Sequence, residues 1–140
     1  ALRIVRCDTV ERMLAHHALI TQLTPELSLG TYAHMLRAMV PHNYAQAAVV
    51  EGEEVIAVSG YWIGHKLYSG KYLEVDNFVV DHAHRSRGFG QLLLDWMLEE
   101  ARRHGCAHVM LDAYVENEAA HRFYERSGFF KRGHHFLKKV

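Results

Sequence analysis

The segment HRSRGFGQ, at residues 84–91, contains the residue types that proteins use to bind phosphate. A helix begins with about four backbone N–H groups that lack an intrahelical acceptor, and this end carries a partial positive charge. Gly88 and Gly90 would let an anion approach that backbone closely, and Arg85 and Arg87 could add charge-assisted hydrogen bonds. The segment therefore predicts an anion cradle. The alternative is an ordinary helix start with a tight turn and solvated arginines.

Two common phosphate loops are excluded by the same residues. A Walker loop needs Lys-Ser or Lys-Thr after its glycine, and neither pair follows here. The dinucleotide fingerprint GxGxxG would need glycine at position 93, where the chain has Leu93. The cradle must therefore belong to another class of phosphate-binding loop.

Composition limits the remaining function classes. The chain has 140 residues, a formal net charge of zero and no long apolar run, so we expect one domain, 1–140, with no nucleic-acid partner and no membrane span. Cys7 and Cys106 are far apart and outside any CxxC motif, which favours a reducing, cytoplasmic setting. Twelve histidines occur without HExxH or Cys/His ligand spacing, so no metal site is expected.

The elements around the cradle follow from hydrophobic periodicity. Apolar residues recur at helical spacing after Gly90, and strand-like segments lie on both sides of that helix, which predicts a strand–helix–strand unit over residues 71–114. The preceding strands read as antiparallel hairpins, so the fold class is α+β with a mixed, mostly antiparallel sheet. The predicted strands are 2–6, 44–51, 54–65, 71–80, 107–114 and one or two within 129–140. The predicted helices are 8–23, 31–39, 90–104 and 118–126. Asp8 is expected to cap the first helix, with Glu11 completing a capping box.

Two motifs resemble one enzyme family. Arg85-x-x-Gly88-x-Gly90 after a strand is similar to the acetyl-coenzyme-A loop of the GNAT N-acetyltransferases, whose pattern is Arg/Gln-x-x-Gly-x-Gly/Ala. The segment NEAAHRFYERSGF, at residues 117–129, resembles the family's second signature, Asn-x-x-Ala-x-x-Phe-Tyr-x-x-x-Gly-Phe. The close resemblance covers residues 71–130, and the first 70 residues match the family in element order alone.

The resemblance implies a fold and a cosubstrate. The fold is a GNAT-type sheet with a V-shaped splay between strands 4 and 5, flanked by helices, and a bulge near Asn77 or Phe78 would help to open it. Acetyl-CoA would lie in the splay with its pantetheine arm on the strand backbone. The residues implied to bind it are Phe78, Val79, Val80, Arg85, Arg87, Gly88, Phe89, Gly90, Gln91, Asn117 and Tyr124. Asn117 has an alternative reading as a helix N-cap, and both roles can hold.

The resemblance also implies catalytic residues. Tyr124 matches the family's general acid for the leaving thiolate, although a packed core aromatic is the alternative. The family's base position on the strand before the loop corresponds to Asp76, where many members carry glutamate, so proton transfer through a water is an option. Glu74 lies on the same strand face and is the reserve base. The alternative is an acidic face that only attracts a cationic acceptor.

The expected reaction is direct acetyl transfer from acetyl-CoA to a primary amine, on a small molecule or a peptide. Dimers are common in the family, so a homodimer is one expectation. Two rival functions remain: a CoA-binding sensor without catalysis, and a nucleic-acid module, which the neutral net charge disfavours. The sequence does not identify the acceptor. Residues that could line its pocket are Tyr32, His34, Tyr61, Trp62, His65 and Tyr68, and core packing is an equally good explanation for most of the aromatic ones.

Overall fold

A computed structural model describes residues 1–140, which divide into two compact units, Ala1–Met110 and Leu111–Val140. The strands form one sheet in the order β1-β2-β3-β4-β5. They are β1 (Leu2–Cys7), β2 (Tyr44–Glu51), β3 (Glu54–Lys66), β4 (Gly70–Val80) and β5 (His108–Leu111). The helices are α1 (Val10–Leu14), α2 (His17–Ile20), α3 (Leu29–Met39), α4 (Phe89–Arg103) and α5 (Glu118–Arg126), with short 3₁₀ turns at Val40–His42 and His82–His84. None of the helices is long and apolar enough to cross a lipid bilayer.

The sheet is mixed. Strands β1 to β4 pair antiparallel in sequence order, which accounts for the hairpin pattern of the sequence. Strand β5 is parallel to β4, and the two strands meet at their starts, where the Ala107 N–H donates to the Lys71 carbonyl at 2.8 Å. β5 ends after four residues, whereas β4 continues for eleven. The α+β class and the GNAT-type mixed sheet predicted from sequence are confirmed.

Period-two alternation divides the sheet of the first unit into two buried faces. Helix α4 contacts β2, β3 and β4, and it buries Leu93, Leu94 and Met97. We call this side the α4 face. Helix α2 contacts β3 and β4, and α1 packs on α3. We call this side the α1–α3 face, and its apolar cluster includes Cys7, Met13, Leu19, Ile20, Tyr32, Leu36, Tyr44, Ala48, Val58 and Val79.

A β-bulge interrupts β4. Val79 lies opposite Val58 and Asp76 lies opposite Gly60, so Asn77 and Phe78 together oppose the single residue Ser59. Asn77 has φ +57°, a left-handed conformation that asparagine tolerates better than most side chains. The predicted bulge near Asn77 or Phe78 is therefore present.

The first predicted helix differs from the structure. The prediction was one helix over 8–23 capped by Asp8, but the cap is Thr9, whose hydroxyl accepts from the Arg12 N–H, and α1 and α2 are separate. Asp8 lies one residue before this cap, and its carboxylate pairs with Arg6 at 3.1 Å. The helix predicted over 31–39 begins two residues earlier, at Leu29, because Ser28 caps it.

The strands predicted within 129–140 are absent. This stretch contains no helix or strand, and Phe130, Phe136 and Leu137 are exposed. Its apolar residues occur as adjacent pairs, Phe129-Phe130 and Phe136-Leu137, so neither face of a strand would be consistently apolar. The strand predicted over 107–114 is also shorter, with β5 ending at Leu111.

Candidate active site

The glycine loop leads directly into α4. Gly88 takes φ +84° and is the N-terminal cap residue of the helix, and a Cβ added there would meet no atom within 4 Å. The first helical hydrogen bond runs from the Leu92 N–H to the Gly88 carbonyl at 3.1 Å, so the amides of Phe89 and Gly90 precede it. Arg85 and Arg87 are exposed beside these amides. The start of α4 therefore presents an open backbone with two adjacent cations, as an anion cradle requires.

The entrance to this loop is held by a hydrogen-bonded cluster that the sequence did not predict. Gln22 donates from Nε2 to Asp81 Oδ1 at 2.7 Å and accepts from the His82 N–H at 3.1 Å. The His84 ring nitrogen Nδ1 lies 2.8 Å from Asp81 Oδ2. The hydrogen bonds with Gln22 and His84 lower the pKa of the Asp81 carboxyl below its ordinary value. Because Gln22 is 59 residues from Asp81, no local sequence signal links them.

Asp76 and Glu74 share one face of β4 and are partly exposed. Trp62, opposite Glu74 on β3, donates from its indole Nε1–H to Asp76 Oδ2 at 3.0 Å. No ion pair in the structure involves Asp76. The structure thus brings both candidate bases to the strand that continues through Phe78, Val79 and Val80 toward the glycine loop.

A buried network lies beside Asp76 on the α1–α3 face. The Tyr44 hydroxyl donates to Asn77 Oδ1 at 3.0 Å and accepts from Gln46 Nε2 at 3.1 Å. Gln46 also bonds the Tyr32 hydroxyl at 3.0 Å and His16 Nδ1 at 2.6 Å. Burial raises the pKa of the Tyr44 hydroxyl well above its ordinary value, so the group stays a proton donor.

The six aromatic and histidine residues considered for an acceptor pocket are not gathered by the fold. Trp62 lies on the α1–α3 face with Asp76, whereas Tyr61 lies on the α4 face, where its hydroxyl donates to Glu100 at 2.7 Å. Tyr32 is buried in the network just described. A pocket of about 430 Å³ includes Tyr61 and His65 among its lining residues but neither Glu74 nor Asp76. Strand alternation places Tyr61 and Trp62 on opposite faces, and the burial of Tyr32 and Tyr61 agrees with core packing, the alternative explanation for these aromatic residues.

The second unit carries the other two predicted residues. Asn117 is the N-cap of α5, because its Oδ1 accepts from the Ala120 N–H at 3.1 Å. The predicted N-cap role of Asn117 is therefore present in the structure. Tyr124 is partly buried between the rings of Phe123 and Phe129, at 5.2 and 5.9 Å. Burial raises the pKa of the Tyr124 hydroxyl above its ordinary value. A phenol in this state keeps its proton at neutral pH, as a general acid must.

The remaining candidates for chemistry are metal-ligand clusters and the two cysteine thiols. No group of three or more His, Cys, Asp or Glu side chains is placed to hold a metal ion. Both cysteines are unpaired thiols, and burial raises the pKa of Cys7 and of Cys106. A raised pKa keeps a thiol protonated and weakly nucleophilic.

Comparisons with known proteins agree with these features. The chain is 30% identical over 132 residues to the uncharacterized N-acetyltransferase YhdJ of Bacillus subtilis (strain 168), covering 93% of each protein. It is 25% identical over 143 residues to a probable glucosamine 6-phosphate N-acetyltransferase 2 of Oryza sativa subsp. japonica, covering 95% of this chain and 84% of that protein. The solved aminoglycoside N-acetyltransferase AAC(6')-Iy in complex with CoA has the same fold, with a TM-score of 0.86, 16% identity and coverage of 100% and 95%.

A model of a protein family also matches this chain. The model described as the acetyltransferase (GNAT) family matches residues 13–129, a range that includes the glycine loop, Asp76 and the α5 signature. The resemblance seen in the two sequence motifs is therefore confirmed. The chain belongs to the GNAT family of acetyltransferases, and it is an acyltransferase that depends on acetyl-CoA.

Proposed function

We propose that this enzyme acetylates a primary amine carried by a cationic small molecule. The observation that carries the proposal is the acidic face of β4, where Asp76 has a neutral donor, Trp62, as its partner and no cation. The carboxylate therefore keeps its charge available for an acceptor ammonium, and Glu74 adds a second carboxylate on the same face. The name of the rice relative indicates a small amino sugar as its acceptor, and AAC(6')-Iy is named for aminoglycosides, which supports an amine on a small molecule.

The glycine loop fits the diphosphate of the cosubstrate. Its open backbone at Gly88 and its two exposed arginines suit an anion that approaches the start of α4. The residues that would hold the diphosphate are Arg85, Arg87, Gly88, Phe89, Gly90 and Gln91. Acetyl-CoA, when bound, supplies an activated acetyl thioester. The strand backbone at Phe78, Val79 and Val80 would meet the pantetheine arm, and its amides would stabilise negative charge on the carbonyl oxygen.

Asp76 and Tyr124 would handle the protons. An amine is mostly protonated at neutral pH, so Asp76 would accept its proton, directly or through a water, before the nitrogen can attack. Tyr124 would donate its phenolic proton to the leaving thiolate, consistent with its raised pKa. Asn117 would use its amide N–H₂ toward the pantetheine, because its oxygen already caps α5. Direct transfer without an acyl-enzyme is supported by the protonated state of both thiols.

A thiol-release assay tests the proposal. Acetyl-CoA is offered with kanamycin, spermidine, glucosamine 6-phosphate or a lysine peptide, and the released coenzyme A is measured. We expect the polycationic acceptors to give the highest kcat/KM, because the acidic face attracts positive charge. Saturable binding of acetyl-CoA by calorimetry without transfer to any amine would favour the non-catalytic CoA sensor. No binding at millimolar acetyl-CoA would remove the cradle assignment as well.

Three further predictions concern the molecule as a whole. We propose that residues 1–140 act as a single acetyltransferase domain, that the enzyme forms a homodimer, and that it works in the cytoplasm. Sedimentation velocity at micromolar protein decides the dimer. Localisation of a tagged full-length protein decides the compartment.

A further inference from the structure

We propose that Tyr44 and Trp62, anchored by Gln46, form a positioning unit that fixes the Asp76 carboxylate and the Asn77 bulge together. The inference rests on the proposed function, because it concerns the base and the strand backbone assigned there. The unit lies wholly within the first compact unit of the chain. Its residues belong to three neighbouring strands, β2, β3 and β4.

The hydrogen-bond partners of Gln46 fix the orientation of its side-chain amide. The Met13 carbonyl can only accept, so the Tyr32 hydroxyl donates to it at 2.9 Å and must accept from Gln46. This places the Gln46 amide nitrogen toward the tyrosines and its oxygen toward His16 Nδ1, which therefore donates. Gln46 is fully buried, and no buried side-chain polar atom in the structure lacks a partner. A satisfied buried network of this kind has one low-energy arrangement.

Tyr44 links the Gln46 network to the bulge of β4. Its hydroxyl accepts from Gln46 and donates to Asn77 Oδ1, so Asn77 is tied to the buried network by its side chain. The left-handed backbone of Asn77, with φ +57°, is unfavourable for a non-glycine residue and persists where its surroundings hold it. The bond to Tyr44 is the side-chain contact that holds it. The orientation of the following backbone at Phe78 and Val79 depends on this anchor.

Trp62 links Tyr44 to the Asp76 carboxylate. Its ring packs on Tyr44, with centroids 4.9 Å apart, and its indole N–H donates to Asp76 Oδ2 at 3.0 Å. The two aromatic side chains are directly paired across β2 and β3. One tilted aromatic pair therefore contacts two consecutive residues of β4, Asp76 and Asn77.

Gly60 supplies the space that the unit needs. Gln46, Gly60 and Asp76 lie in one row across β2, β3 and β4. A Cβ at Gly60 would overlap the Tyr44 hydroxyl and ring. The bare backbone at this position lets Tyr44 reach across the row to Asn77, which cross-strand pairing alone would not allow.

Steady-state kinetics test the unit with acetyl-CoA and the best amine of the acceptor panel. Tyr44→Phe keeps the ring and removes the hydroxyl, and Trp62→Phe removes the indole N–H. We expect each variant to lower kcat about tenfold or more, because small displacements of reacting groups are costly. KM for acetyl-CoA should change less than twofold, because the glycine loop is untouched. A kcat loss no larger than that of the control below would overturn the proposal.

Tyr61→Phe is the matched control. Tyr61 adjoins Trp62 in β3 and is as buried as Tyr44, but it lies on the α4 face and bonds Glu100. We expect it to lower the melting temperature and leave kcat within twofold. The melting temperatures of all variants are measured, so that a folding defect is separated from a loss of positioning.

A double-mutant cycle tests the Tyr44–Asn77 link directly. Asn77→Gly should fold, because glycine tolerates positive φ, yet it removes the anchor. Since either change breaks the same bond, the double variant Tyr44→Phe/Asn77→Gly should have the kcat of the poorer single variant. If the two effects on kcat multiply instead, Tyr44 does not act through Asn77.

A spectroscopic readout separates this proposal from the proposed function. Trp62 and Trp96 are the only tryptophans, so a ¹H–¹⁵N spectrum shows two indole signals. Asp76→Ala should move the Trp62 signal and leave that of Trp96, which packs on Tyr61 on the α4 face. An unmoved Trp62 signal would overturn the positioning unit even in an active enzyme. If the wild-type enzyme transfers no acetyl group, the proposed function fails, and the indole signals alone decide whether the unit exists.

Discussion

Both faces of the sheet bury polar side chains, but they do so with different chemistry. On the α4 face, the buried Glu100 carboxylate is surrounded by Tyr61, Arg6, Arg103 and His104, with contacts between 2.7 and 3.3 Å. On the α1–α3 face, Gln46 lies at the centre of a network of neutral donors and acceptors. The charged cluster connects α4 to β1 and β3, whereas the neutral network ends at the bulge of β4.

The difference separates stability from catalysis. Charges gain from partners on the protein but lose hydration, so a partly exposed ionic cluster mainly affects stability and its pH dependence. A neutral, fully satisfied network keeps one geometry without competing for the charge of a nearby base. On the α1–α3 face, Asp76 therefore has no ion pair, whereas on the α4 face Glu100 pairs with Arg6, Arg103 and His104. Four variants test this division, starting with the largest expected effect.

Asp76→Asn should give the largest effect, on catalysis alone. The amide oxygen can still accept from the Trp62 indole N–H, so the local geometry is retained while the base and its charge are lost. We expect kcat to fall about a hundredfold or more, the usual contribution of general base catalysis, with the melting temperature little changed. Thiol-release kinetics and thermal denaturation check both parts. A full rate at the pH optimum would place the base elsewhere, with Glu74→Gln as the next variant to measure.

Glu100→Ala, on the α4 face, should have the opposite effect: it should lower stability and leave kcat nearly unchanged. It leaves the Tyr61 hydroxyl without its acceptor and removes the partner of Arg6 and Arg103, which are about half exposed and can be hydrated. We expect a loss of about 1–3 kcal/mol in the free energy of unfolding at pH 7, below the cost for fully buried partners. Urea denaturation measures this loss, and kcat should stay within twofold. A large kcat loss in a stable protein would contradict the division between the faces.

The pH dependence of the same variant sharpens the test. Burial opposes ionisation of Glu100, but hydrogen bonds from Tyr61 and Arg103 and the nearby cations outweigh it and lower its pKa below 4.5. A carboxyl with a lowered folded-state pKa stabilises the fold above its unfolded pKa, and this contribution disappears as the pH falls through the folded value. The stability gap between wild type and Glu100→Ala should therefore narrow below about pH 4.5. A gap independent of pH would assign the effect to packing.

Gly60→Ala should affect both stability and catalysis. The added methyl group must displace the Tyr44 ring, and overpacking of a buried site costs about 1–3 kcal/mol. Because Tyr44 is the residue displaced, kcat should also fall, by less than in Asp76→Asn. Gly30→Ala is the control, since a Cβ there meets nothing within 4 Å. Equal behaviour of the two variants would show that Tyr44 does not need the space at Gly60.

The sequence was sufficient where local pattern decides structure. The bounds of β2 and of α5 match the prediction, because apolar runs, turns and the Asn117 cap are local signals. The glycine loop was also visible, because its residues are consecutive. The positioning unit was not, because Gln46, Asn77 and His16 are 30 or more residues apart and meet only across strands. The one available signal was Gln46 itself, a polar residue inside an apolar strand, which must have a partner once buried.

Replacement of His16 should give the smallest effect, visible only through pH. Burial lowers the pKa of His16 below 6.5, with a smaller opposing effect of the Gln46 bond and a further lowering by Arg12. The unfolded chain therefore binds a proton more readily, so wild-type stability should fall as the pH drops below about 6.5. His16→Gln cannot titrate, so the difference between the two urea-unfolding curves, measured from pH 7.5 to 5, isolates His16 from the other eleven histidines. Parallel curves would mean that folding does not lower the pKa of His16, so that this histidine is not held in the neutral state by burial.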